Sequence, residues 1–72
     1  MKVYVVLIQD RHCDPDVELF SSENRAVAEA EAIARKYSRG GKIEYPCVEG
    51  FVYTAVYSCE GDSVCVFERE VE

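Results

Sequence analysis

The eight residues KVYVVLIQ, Lys2–Gln9, are apolar at both sets of alternating positions, with Val3, Val5 and Leu7 on one side of an extended chain and Tyr4, Val6 and Ile8 on the other. Branched residues at this density specify a strand. A strand that is apolar on both sides belongs inside a sheet whose two faces are both covered. In a chain of 72 residues that demand is hard to meet. A domain of this size removes only about 60% of its unfolded surface from water, so it draws extra stability from self-association, disulfides or a metal.

The remaining residues supply three more strands and one helix. The segment DVELF, Asp16–Phe20, is short and acid-bearing, as an edge strand is. Residues 21–41, SSENRAVAEAEAIARKYSRGG, carry the signals of a helix: Ser21 or Ser22 as cap, Glu23 in the first turn, Lys36 and Arg39 near the end, and Gly40 and Gly41 as the stop. Ala26, Val27, Ala30, Ile33, Ala34 and Tyr37 form one apolar stripe, and its small side chains let the helix axis lie close to whatever it covers.

Residues 42–50, KIEYPCVEG, form a connection interrupted at Pro46. FVYTAVYSC and SVCVFEREVE then flank a turn about Gly61 and Asp62, the signature of a hairpin. The first arm is apolar or aromatic on both sides, which places it inside the sheet. The second alternates, with Cys65, Phe67 and Val71 against Val64, Val66, Glu68, Glu70 and Glu72, which places it at an edge.

These elements predict a single α+β domain over residues 1–72: ββαββ, a four-stranded antiparallel sheet in the order 2-1-3-4, with one helix packed on one face by a right-handed connection. One helix leaves the other face bare. That face presents either Tyr4, Val6 and Ile8 or Val3, Val5 and Leu7, beside either Phe51, Tyr53 and Tyr57 or Val52, Thr54 and Val56. An apolar patch on the order of several hundred Å² is more than a soluble monomer leaves in water. A homodimer stacking sheet on sheet is the leading expectation, and a different protein or a flat ligand is the other, with Tyr4, Tyr53 and Tyr57 as anchors in either case.

Reactive side chains concentrate in residues 9–18, QDRHCDPDVE. Asp10, Asp14 and Asp16 resemble the alternating acids of a calcium loop, yet the sixth and twelfth positions from Asp10 hold Pro15 and Ser21 where that loop needs glycine and glutamate. His12 and Cys13 are adjacent, a spacing foreign to zinc ligands, and no C-x-x-C occurs. The neighbouring acids would raise the Cys13 pKa, which opposes a role as nucleophile. No phosphate loop, serine elbow or paired acids complete a catalytic set, so no enzyme, cofactor or metal is expected. Asp14-Pro15-Asp16 fits a hairpin turn that holds Arg11 and His12 out as contact residues.

Eight basic residues against fourteen acidic ones give a net charge of −6, which opposes direct binding of nucleic acid. Glu68, Glu70 and Glu72 alternate along the last strand as a negative ladder that protects an edge or meets a partner with a basic surface. No run approaches the ~18 apolar residues of a membrane span, and the N-terminus lacks a signal-peptide cleavage site. The expected setting is therefore the cytoplasm, with no membrane and with thiols reduced; the four cysteines, Cys13, Cys47, Cys59 and Cys65, otherwise allow three disulfide pairings. Cys59 and Cys65 fit as small apolar strand residues. Three functions follow in order: a non-enzymatic protein-interaction module that dimerises through its open face, an acidic inhibitor of the phage type that blocks a basic nucleic-acid site, and a small metal or thiol protein built on residues 10–16.

Overall fold

The computed structural model describes residues 1–10, 16–58 and 61–71. Along the chain these form β1 (Lys2–Gln9), β2 (Asp16–Phe20), α1 (Glu23–Ser38), β3 (Tyr53–Val56) and β4 (Ser63–Glu70). The four strands make one antiparallel sheet, and α1 lies across one of its faces. The α+β class and the ββαββ element order agree with the sequence reading.

The strand order does not. The sheet runs β2-β1-β4-β3, so β4 takes the interior place expected for β3, and β3 lies at the edge. Because β1 and β3 each run antiparallel to β4, they point the same way. β3 therefore cannot sit antiparallel beside β1. Its direction is set by the long connection after α1, which returns along the outer side of β3: Glu44 bridges Val56 through two backbone hydrogen bonds of 2.9 and 2.8 Å. The chain then enters β3 from the far end, and the hairpin lays β4 next to β1.

Burial within β4 is consistent with this. Val64 and Val66 are fully buried, and Cys65 is nearly so. The acids lie in the second half of the strand, past Val66, the last residue that β3 reaches, where Phe67 to Glu70 pair with β1 alone. β4 is thus interior along its first half and an edge along its second.

The strands of the second hairpin are shorter than their sequence patterns, β3 spanning Tyr53–Val56 and β4 ending at Glu70. The hairpin closes with Tyr57 N–H donating to the Asp62 carbonyl (3.0 Å) and Gly61 N–H to that of Ser58 (3.0 Å). Gly61 has φ 93°, a conformation that glycine adopts without strain.

α1 begins after Ser22, whose carbonyl accepts from Ala26 N–H at 3.0 Å while its side chain makes no capping bond. It ends one residue before the glycines: Arg39 takes the left-handed conformation (φ 53°, ψ 41°) and Gly40 follows at φ 81°. Of the apolar stripe, Ala26, Ala30 and Ala34 are fully buried against Val6, Ile8, Ala55, Tyr57, Val64 and Val66. Ile33 packs at the margin and Tyr37 stays exposed, its ring 5.9 Å from that of Tyr57. Alanines on the contact line bring the helix close to the sheet, so the core is mostly valines and alanines, with Ile8 and Tyr57 as its large members.

Candidate functional site

The helix chooses between the two sides of β1. Tyr4, Val6 and Ile8 meet it, and Val3, Val5 and Leu7 face away. The pairing register carries that choice across the sheet, since residues directly opposite each other share a face. The open face therefore holds Val17 and Leu19 of β2, Val3, Val5 and Leu7 of β1, Ser63, Cys65, Phe67 and Arg69 of β4, and Thr54 and Val56 of β3.

At its centre Val5 and Cys65 are screened by their neighbours, with 8% and 6% of their surface exposed, and burial pushes the Cys65 thiol pKa up. Cys65 and Cys47 are free thiols. Toward the β2 edge the face opens to water, with Val17 at 53% and Leu19 at 65% exposure. At the end near the β4 C-terminus, Phe51 packs edge-on against Phe67 (5.8 Å between ring centres), and the Arg69 guanidinium lies over the Phe67 ring, 4.6 Å from its centre. That aromatic row with a cation at its end escaped the sequence reading. Its signal was the alternation Cys65, Phe67, Arg69 in a strand taken for an edge.

The tyrosines expected as anchors are not on the open face. Tyr4, Tyr53 and Tyr57 all lie on the helix side, where two of their hydroxyls bind acids: Tyr57 donates to Asp10 Oδ2 at 2.6 Å and Tyr53 to Glu31 Oε2 at 2.6 Å. Tyr57 is only 5% exposed. A tyrosine facing α1 can bury its ring under the helix and still place its hydroxyl at the rim, whereas the alanines opposite leave the room for it.

The acidic ladder is likewise changed by its surroundings. Glu68 and Glu70 share the parity of Tyr4 and so face away from the open side. Glu68 pairs with Lys2 (3.4 Å) and Glu70 with the N-terminal ammonium (3.2 Å). The Glu68 hydrogen bond raises the Lys2 pKa. With a cation beside each carboxylate, this row offers a basic partner less negative charge than the sequence implied. Glu72, Arg11 and His12, also named as contact residues, lie outside the described residues, as do Cys13 and Cys59.

Among the described residues no group of three or more His, Cys, Asp and Glu is placed to hold a metal ion. No helix among them is long and apolar enough to cross a membrane. No known protein family, no curated protein and no solved structure matches this chain.

Proposed function

We propose that this protein is a non-enzymatic protein-interaction module that pairs with a second copy of itself, open face on open face. The observation that carries this reading is an apolar sheet face that no helix or strand covers among the described residues, exposed most at Val17 and Leu19. Size fits a weak, concentration-dependent pairing. The four strands are 8, 5, 4 and 8 residues long; at ~4.8 Å spacing and ~3.4 Å rise they outline a face of roughly 400 Å², and covering it on two copies removes on the order of 800 Å², the low end of interface sizes.

Charge supports it too. In a chain of net charge −6, none of the positions that the four strands turn to this side is acidic. Two copies meeting here keep the carboxylates of their strands away from the contact, so mutual repulsion is low on this face.

Light scattering over a wide concentration range tests the reading. The expected result is a mass that rises from about one chain to two with concentration, and a Leu19→Glu variant that stays folded by circular dichroism yet remains monomeric. A monomer at every concentration would rule out the second copy as occupant, and a dimer indifferent to Leu19→Glu would place the contact elsewhere.

A further inference from the structure

Two charges stand at opposite corners of the open face. Arg69 closes the aromatic row at the C-terminal end of β4, its guanidinium over Phe67 and, among the described residues, without a carboxylate partner. Glu44 lies diagonally across. Its backbone bonds Val56 in both directions, so its side chain shares the side of the sheet that Val56 occupies, which is the open one. Both residues are exposed.

Within one copy the two cannot neutralise each other. Val56 pairs with Ser63, six residues before Arg69, so the corners are ~20 Å apart along the strands and about two strand spacings, ~10 Å, across them. That exceeds the ~8 Å over which exposed charges act at physiological salt. A second copy removes the separation. A two-fold axis lying between the stacked sheets can exchange the two corners, bringing Arg69 of each copy over Glu44 of the other, and symmetry makes the pair occur twice.

Resting on the proposed self-association, we infer that the partner on the open face is selected and oriented by reciprocal Arg69–Glu44 ion pairs between two copies of this chain. The apolar centre supplies attraction in any orientation, since a flat field of valines and leucines has little directional preference. The corner charges choose one. Any stacking that sets Arg69 over Arg69, or Glu44 over Glu44, places like charges face to face at the rim and is disfavoured.

The test is a charge swap read by sedimentation equilibrium at low salt, with folding followed by circular dichroism. Arg69→Glu and Glu44→Arg should each raise the dimer dissociation constant by roughly tenfold or more, because each sets like charges opposite one another twice. Glu44 contributes its backbone to the bridge and its side chain to water, so Glu44→Arg keeps the fold even where Arg69→Glu disturbs the packing of Phe67. The double variant Arg69→Glu/Glu44→Arg should recover most of the lost affinity, and salt should weaken the wild-type dimer more than either single variant. Single variants that dimerise as wild type, or a double variant that fails to recover, would overturn the ion-pair inference and leave the apolar pairing standing. A wild-type chain that stays monomeric would instead overturn the pairing itself, and with it the inference.

Discussion

The Tyr53 hydroxyl donates a 2.6 Å hydrogen bond to Oε2 of Glu31, joining the edge strand β3 to the middle of α1. The other oxygen of the same carboxylate accepts from Arg35 Nε at 3.0 Å and from the Tyr45 hydroxyl at 3.1 Å. One side chain thus collects the helix, the edge strand and the returning connection. β3 has only one strand beside it along most of its length, and this clasp supplies part of what an interior strand gets from a second neighbour. Burial, then the nearby carboxylate, pushes the Tyr53 pKa well above its usual range.

Tyr53→Phe removes the short bond while keeping the ring in place, and leaves Glu31 with its weaker partners. Hydrogen bonds to charged groups are worth ~1.5–3 kcal/mol, and the partial exposure of this one puts the expected loss at about 1–2 kcal/mol by urea denaturation. A change below ~0.5 kcal/mol would show that water replaces the tyrosine at no cost.

The same clasp makes stability depend on pH. The Tyr53 hydrogen bond, then that from Arg35, holds the Glu31 carboxyl below its ordinary value of 4.5. The folded chain therefore binds this proton less readily than the unfolded one. The contribution is complete above pH 4.5 and is lost as pH falls through the lower, folded value. Glu31→Gln should lower stability at neutral pH and flatten the decline below pH 4.5, in melting curves compared with wild type. Parallel acid profiles for the two proteins would contradict the assignment.

Ala30 sits fully buried on the line where α1 touches the sheet. Ala30→Leu adds three carbons where the fold leaves no room, and it forces the helix off Val6 and Val64 or the side chain out of its rotamer. A loss of about 1–3 kcal/mol is expected, although leucine is itself a good helix former. Chemical denaturation of the purified variant measures it.

Thr54 Oγ1 is buried with no hydrogen-bond partner among the described residues. Thr54→Val keeps the shape and removes the unsatisfied hydroxyl, so it should gain about 1 kcal/mol in urea denaturation. Since position 54 lies on the open face, the same substitution should strengthen self-association slightly in light scattering.

Arg39 ends the helix in the left-handed region that side-chain-bearing residues enter at a cost of ~1–2 kcal/mol. Arg39→Gly removes that cost while adding entropy to the unfolded chain, for a net gain of about 0.5–1 kcal/mol by thermal melting. The sequence placed the stop at Gly40 and Gly41, one residue late, because glycine is the stronger signal of the left-handed position that arginine occupies here.

What the sequence determined was local. Alternation in Lys2–Gln9, the stripe of α1 and the turn at Gly61 are decided by neighbours two to four residues away, and β1, β2 and the start of α1 stand where their patterns placed them. The apolar excess, set against a single helix, also announced a sheet face that no helix or strand covers among the described residues. What only the tertiary structure decided was which strands neighbour each other and which face is bare. β4 reads as an edge because its acids fall in one half of the strand, and only the short reach of β3 reveals that the other half is interior. The tyrosines were equally plausible on either side, because parity alone is symmetric. The alanine stripe of α1 broke that symmetry by settling over Tyr4, Val6 and Ile8. The direction of β3 was set by a connection with no periodic pattern, whose bridge at Glu44 depends on backbone groups that every residue carries and no sequence advertises.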